Sequence, residues 1–504
     1  GYMLTFEHLT ITHKKDNAVL INDLTMTINA CDKVAIIGEE GCGKSTLLSF
    51  MREESAISSY AEVSGICRRN YRRVAYLPPF IDPTLLTLSI SDFIDRSIDY
   101  TAFDYGLFYQ LAHELGFDSK RFEDESPLAV LSGGEKFKLQ LLLLLAHEPD
   151  CLLLDEPTSD LDFETITWLI GFIQKSTLTI IFVSHDDYFL SQTATRIIHL
   201  EQVKKRRESK THTSKMGYKD YLDNRKKNFH HQERLATEQE RQYQKDMTKL
   251  NRTMSAVHHA LNTTKDSTAG RLLAKKMKNL KSRQKRLERE KDDFYDKPAS
   301  TEAIELVFSA VEPLPKTKQL LSYDQHKLSS GQVIDLHIWG QDKIVITGKN
   351  GIGKTLLLKD IRNQLTQKGY TVSYMPQDYL EELDENKTAL DFLERTRRRA
   401  EARTLLAKLQ FTPQEIQHPI SNLSSGQKAK LFFCRMVLDE AQILLLDEPT
   451  RHLSPLSQPE IRQLFRNYTG CIIAVSHDYH FIHEVGDSIY QLTQNELTLL
   501  AGKP

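Results

Sequence analysis

Apolar positions along this chain follow two different periods. In the first and last thirds they form short unbroken runs that end in polar residues. Lys33-Val34-Ala35-Ile36-Ile37, Leu152-Leu153-Leu154 and Thr179-Ile180-Ile181-Phe182-Val183 lie in the first third; Lys343-Ile344-Val345-Ile346-Thr347, Ile443-Leu444-Leu445-Leu446 and Cys471-Ile472-Ile473-Ala474-Val475 repeat them in the last. Runs of this length predict strands buried on both faces, in a mostly parallel sheet flanked by helices. The middle has another period. Tyr243, Met247, Leu250, Met254, Val257 and Leu261 keep a strict 4-3-4-3-4 spacing, the a/d seam of a coiled coil. A second seam runs through Leu273, Met277, Leu280, Leu287 and Phe294.

Between the two seams, Asn262 to Gly270 is polar with breaker character. The pattern predicts an antiparallel helical hairpin, with a first helix from about Tyr218 and a second from about Gly270 to Asp296. At 1.5 Å per residue these would span roughly 65 and 40 Å. The predicted organisation is an α/β domain over 3–201, a helical linker over 202–300 and a second α/β domain over 301–504. The net charge of −2 hides a split along these boundaries. Residues 202–298 hold 27 Lys+Arg against 13 Asp+Glu, while the rest carries 39 against 55. A basic lever between acidic lobes suits a polyanionic partner, although a solvated charged helix would show the same balance. The longest apolar stretch, Leu139 to Ala146 with Gln140 inside it, is far too short for a membrane helix, and Gly1-Tyr2-Met3 opens no signal-like layout. Six scattered cysteines with no CxxC pair fit a reduced cytosol.

Candidate chemistry sits where the buried runs end. Gly38, Gly41, Gly43, Lys44, Ser45 and Thr46 follow the first strand, and Gly348, Gly351, Gly353, Lys354 and Thr355 follow its counterpart. Glycines let backbone N–H groups turn inward around phosphates, the lysine meets the β/γ oxygens, and the hydroxyl ligates Mg²⁺. Asp155 and Asp447 end two further strands, where a carboxylate can hold magnesium; Glu156 and Glu448 follow them, placed to polarise an attacking water. His185 and His477 end the third pair of strands, within reach of the γ-phosphate or that water. Ser184, His185 and Asp186 are consecutive, so they cannot converge as a hydrolase triad does.

These motifs, with Leu131-Ser132-Gly133-Gly134-Glu135 and Leu423-Ser424-Ser425-Gly426-Gln427, resemble the nucleotide-binding domains of ABC ATPases over nearly all of 3–201 and 301–504. The resemblance implies two ATPs in a head-to-tail sandwich. Ser132, Gly133 and Gly134 would complete the site on Lys354, and Ser424, Ser425 and Gly426 the site on Lys44. Free N–H groups at a helix start would offer the γ-phosphate a positive dipole end. It also implies a Q-loop glutamine touching Mg²⁺ and nucleotide, met here by Gln377 in Tyr374-Met375-Pro376-Gln377 but by Pro79 in Tyr76-Leu77-Pro78-Pro79. The second lobe has Ser454 where Asp162 stands in the first, so the two sites are not expected to turn over equally. His13 is a candidate for stacking adenine.

Tandem cassettes joined by a basic helical hairpin resemble the ABC-F class of translation factors, and Tyr218-Lys219-Asp220-Tyr221 with Lys226-Lys227 resembles the opening of their linker. The compact first lobe is closer to antibiotic-resistance members of the Vga type. The resemblance implies an ATP-hydrolysing factor that meets the bacterial ribosome through rRNA and P-site tRNA. It would insert its linker toward the peptidyl-transferase centre and protect against large-subunit antibiotics. Tip residues Val257, His258, His259, Leu261, Asn262 and Lys265 would come nearest the drug site, and Tyr218, Tyr221, Phe229 and Tyr243 are available for base stacking. It further implies a ribosome-associated, cytoplasmic monomer with its cassettes paired intramolecularly, and no DNA or membrane partner. A housekeeping ABC-F factor and a cytosolic transporter subunit are the alternatives.

Overall fold

The computed structural model describes residues 1–39, 41–203, 208–291, 308, 311–409 and 411–502; Phe294, the expected helix end at Asp296, the boundary near 300 and Glu40 lie outside them. In the first lobe Val74–Leu77, Cys151–Asp155, Thr179–Val183, Lys33–Gly38 and Arg196–Val203 run parallel in that order, with Glu208–Ser214 at the edge. The second lobe repeats this with Val372–Met375, Ile443–Asp447, Cys471–Val475, Lys343–Thr347 and Ser488–Leu492, closed by antiparallel Leu497–Ala501. All five residues of Cys151–Asp155, Thr179–Val183, Ile443–Asp447 and Cys471–Val475 are buried, as their unbroken apolar runs predict.

A second layer is antiparallel. Tyr2–His13 lies between Val19–Asn29 and Ala61–Arg69 in the first lobe, and Gln319–Lys327 pairs with Val333–Trp339 in the second. Phe6, Ile11, Leu47 and Phe50 pack with Ile36, Leu153 and Ile181; Tyr323, Leu336 and Leu357 pack likewise with Ile346, Leu445 and Ile473. Each Gly-rich loop therefore rises between a strand and a helix held on both sides. The loops gather at the carboxyl ends of the parallel strands, where ligands bind in open α/β sheets.

The described residues group into two compact units. One holds both lobes and Ser209–Tyr221, and the other holds the linker from Leu222 onward. The linker's helices are Tyr218–Thr263 and Ser267–Lys291, of 46 and 25 residues. The first spans roughly 69 Å. Lys291 reaches Glu240 at 3.7 Å and lies 4.7 Å from the Tyr243 ring centre, so the helices run antiparallel. Leu250 and Val257 are buried, and Tyr243, Met247, Met254, Leu261, Leu273, Met277, Leu280 and Leu287 are half-buried among mostly exposed neighbours. The second helix starts three residues earlier than expected. Asp266 accepts from the Thr268 N–H at 2.9 Å, capping the helix there and leaving Gly270 inside its first turns.

Among the described residues, no helix is long and apolar enough to cross a membrane, and no group of three or more His, Cys, Asp and Glu is placed to hold a metal ion. Six cysteines are free thiols.

Candidate functional site

Both Gly-rich loops take the same shape for a steric reason. Gly38, Gly41 and Gly43 have φ of 154°, 80° and 101°; Gly348, Gly351 and Gly353 have 147°, 79° and 112°. A Cβ on Gly38 would lie 2.5 Å from the Leu200 carbonyl oxygen, and one on Gly348 2.5 Å from that of Leu492. The turn closes only without a side chain. Lys44 Nζ donates to the Gly38 and Glu39 carbonyls at 2.6 and 3.0 Å, and Lys354 Nζ to those of Gly348 and Lys349 at 2.6 and 2.8 Å. Each ammonium is thus folded back over its own loop. Burial lowers the Lys354 pKa against the pull of Glu448 and Asp447. Ser45 and Thr46 follow in the first turn of the helix Lys44–Arg52, and Thr355 in that of Lys354–Gln367.

Thr355 Oγ1 donates to Asp447 Oδ2 at 2.8 Å, while Tyr76 donates its hydroxyl to Asp155 Oδ2 at 3.1 Å. In both lobes the other aspartate oxygen, Oδ1, is buried without a hydrogen-bond partner. Burial raises both carboxyls, that of Asp447 to about 6. An orphaned buried carboxylate oxygen beside a hydroxyl is a donor set that fits a hard cation such as Mg²⁺. Gln377 lines the same cleft as Lys354, Thr355, Asp447 and Glu448.

Glu156 and Glu448 both adopt φ of 50°, a left-handed conformation that costs a non-glycine residue about 1–3 kcal/mol. Their N–H groups donate to Val183 and Val475 at 2.9 and 2.8 Å, which carries the chain past the strand end. The carboxylates consequently face the histidines. His185 Nε2 lies 2.9 Å from Glu156 Oε1, and His477 Nε2 lies 3.6 Å from Glu448 Oε1. Burial raises Glu448 to about 7 and, with the Lys354 charge, lowers His477 to about 4. His477 is therefore neutral at neutral pH. A general base works only when ionised, and a raised pKa moves the loss of activity to higher pH. With the first site silenced by Glu156→Gln, ATP turnover should rise with pH and level off above about 7. A flat profile between pH 5.5 and 8 would contradict Glu448 as the base.

Ser132 and Ser424 open the helices Gly133–Leu145 and Ser425–Leu438 through matching capping boxes with Glu135 and Gln427. The caps occupy the third N–H of each helix and leave the N–H groups of Gly133, Gly134, Ser425 and Gly426 ahead of it. A Cβ on Gly134 would lie 2.4 Å from Thr165 Oγ1, and one on Gly133 3.1 Å from the Asp160 carbonyl oxygen. Asp160 is also where the lobes meet. Asn350 of the second Gly-rich loop donates to its carbonyl, and Arg451 Nη2 to its carboxylate at 3.0 Å. The first signature is therefore one residue contact away from the loop carrying Lys354.

Further contacts cross between the lobes nearby. Gln458 Nε2 donates to the His185 carbonyl at 2.5 Å, and Tyr188 stacks on Tyr479 with centroids 4.4 Å apart. Arg462, 5 % exposed, lies 3.4 Å from Asp187. Burial first, then Asp478, raises the Asp186 carboxyl to about 7. A cleft lined by Glu156, His185, Asn350, Gln377, Glu448 and His477 runs between the two sets of motifs. Sequence reasoning missed Asn350, Arg451, Gln458 and Arg462, because only contact across the lobes gives them a role.

The ABC transporter family profile matches residues 21–159 and 332–451, more than half of the chain. The chain belongs to the ABC family. It is an ATPase with two ABC cassettes, and relatives that align with 96% of this chain make it of the ABC-F type. One is the ribosome protection protein VmlR of Bacillus subtilis (strain 168), 28% identical across 96% of this chain and 86% of that protein. Another is the putative ATP-binding protein YdiF of the same organism, 28% identical across 95% of this chain and 78% of its own length. ABC transporter F family member 5 of Arabidopsis thaliana is 25% identical, over 96% and 74%. Among solved structures, archaeal ribosome recycling factor aABCE1, in complex with ribosomal stalk protein aP1, aligns with 98% of this chain and 90% of its own. Its TM-score is 0.58 at 16% identity, a likeness of fold.

This ABC-F chain places some predicted residues elsewhere. Tyr218 and Tyr221 are 2 % and 6 % exposed, their hydroxyls bonded to Asp187 at 2.5 Å and His199 at 2.6 Å, so they are not free to stack on bases. Tyr243 packs under Lys291, and the side chain of Phe229 lies outside the described residues. Of the tip residues, Val257 is buried in the seam and Leu261 half-buried on it. His258, His259 and Asn262 are exposed on the last turns of the helix, and Lys265 is exposed in the connection. His13 ends the strand Tyr2–His13 with its ring 6.0 Å from that of Tyr60.

Proposed function

We propose that this ABC-F ATPase binds the bacterial ribosome in its ATP-bound form, directs its linker toward P-site tRNA and the peptidyl-transferase centre, and protects the ribosome from large-subunit antibiotics. In this reading Lys44 and Lys354 hold the nucleotide phosphates. Ser45, Asp155, Thr355, Asp447 and Gln377 hold Mg²⁺, which supplies charge neutralisation at the phosphates. Glu156 and Glu448 orient water with His185 and His477. Ser132–Gly134 complete the site on Lys354, and Ser424–Gly426 the site on Lys44.

The observation that carries the reading is similarity to VmlR along 96% of the chain, linker included, together with the linker's 27 basic against 13 acidic residues over 202–298. Basic residues along paired helices neutralise RNA phosphates, which gives salt-dependent affinity without sequence preference. A cytoplasmic, ribosome-associated monomer follows. The protein need only favour the drug-free arrangement over the drug-bound one. Expression in a susceptible bacterium should raise the inhibitory concentration of at least one class of large-subunit antibiotic, and Glu156→Gln with Glu448→Gln should abolish the effect. The second reading is a translation factor without a resistance role; similarity of the same order to YdiF, described only as a putative ATP-binding protein, keeps it beside the first. Unchanged susceptibility across those drug classes would select it.

A further inference from the structure

The short helix Asp187–Thr193 begins two residues after His185 and touches the start of the linker at both ends. At its first residue, the Tyr218 hydroxyl donates to Asp187 Oδ1 at 2.5 Å. Past its last, a Cβ on Gly217 would lie 3.2 Å from the Ala194 carbonyl oxygen, so the backbones approach closely. Asp187 is 3 % exposed, and its second oxygen faces the other cassette. Arg462 Nη2 lies 3.4 Å and His480 Nε2 3.5 Å from Oδ2. Glu484 lies 2.7 Å from Arg462 Nε and 3.8 Å from His480 Nδ1, and Asp478 adds a repulsive charge.

One buried carboxylate thus joins three things. It follows the histidine of the first ATP site, it meets the Arg462 guanidinium and the His480 ring from the second cassette, and it receives the hydroxyl of the linker helix's first residue. Tyr221, one turn on, is anchored differently, to His199 on a strand of the first cassette. We propose that Asp187 is a positioning residue through which approach of the second cassette fixes the root of the linker helix, so that ATP-driven closure is transmitted to the linker. When Arg462 draws near, with the His480 ring beside it, the guanidinium offsets the charge on Oδ2 and the carboxylate is held in the orientation that receives Tyr218. When they withdraw, the carboxylate is an unpaired buried charge that must turn toward water, and the Tyr218 bond weakens with it. The inference rests on the ATPase assignment and does not use the ribosome reading.

The test is hydrogen exchange of residues 214–225 in the full-length Glu156→Gln, Glu448→Gln protein, with and without ATP. ATP should slow exchange there by about tenfold or more, the scale of a hydrogen bond to a charged group. Tyr218→Phe keeps the ring and should remove most of that ATP-dependent difference while ATP still binds; Arg462→Gln should do the same. Tyr221→Phe should speed exchange equally in both states. Three results overturn the proposal: no ATP-dependent change before Tyr218 is altered, the same change after Tyr218→Phe, or equal loss with Tyr221→Phe, which would make both tyrosines plain anchors.

Discussion

Glu156→Gln combined with Glu448→Gln should lower ATP turnover by roughly 100-fold or more, the scale of a lost general base, while leaving ATP bound. The geometry makes this effect large. Each glutamate is held in a left-handed backbone by its own N–H, which bonds across the sheet, and the next residue is a proline, so no neighbour can take its place. Each faces a histidine just past the end of the adjoining strand, at 2.9 Å in the first lobe and 3.6 Å in the second. Glutamine has nearly the same shape, so the phosphate loop and the aspartate beside it remain intact. Phosphate release under steady-state conditions measures the loss, and nucleotide retention after gel filtration measures what is kept. The single variants separate the sites: if one site dominates, one of them should carry nearly the whole loss. Turnover within about threefold of the parent in the double variant would remove both glutamates from the chemistry, since a general base is worth far more than that.

The parallel sheets were legible because their strands are buried on both faces and read as unbroken apolar runs; Thr179–Val183, Lys343–Thr347 and Cys471–Val475 match to the residue. The antiparallel layer was not. Its strands face the core on one side, and bulges break the alternation that would have revealed them. His8, Asp23 and Gln325 sit at φ of 50°, 53° and 44° where the register shifts. The heptad seam marked both linker helices, but the cap at Asp266 moved the turn toward the first of them. In the site, Lys44, Lys354, Asp155, Asp447 and the two glutamates were readable because each follows a strand in a fixed motif. Tyr76 on Asp155, Arg462 on Asp187 and Gln458 on His185 were not, since those pairs are 79, 275 and 273 positions apart. The two linker tyrosines misled for a related reason. An aromatic beside lysines looks like a nucleic-acid contact, yet both phenols are buried with their hydroxyls paired.

The central claim is that the ATP-bound protein engages the ribosome. The double glutamine variant, which keeps ATP without turning it over, should hold the cassettes together and make that state long-lived. Its sedimentation with purified bacterial ribosomes, with ATP and without nucleotide, measures the claim directly. The account predicts near-stoichiometric association with ATP, little without it, and weakening as salt rises, because basic linker residues replace counterions on RNA phosphates. Absence of ribosome binding, with both ATP sites shown to be filled, would contradict it.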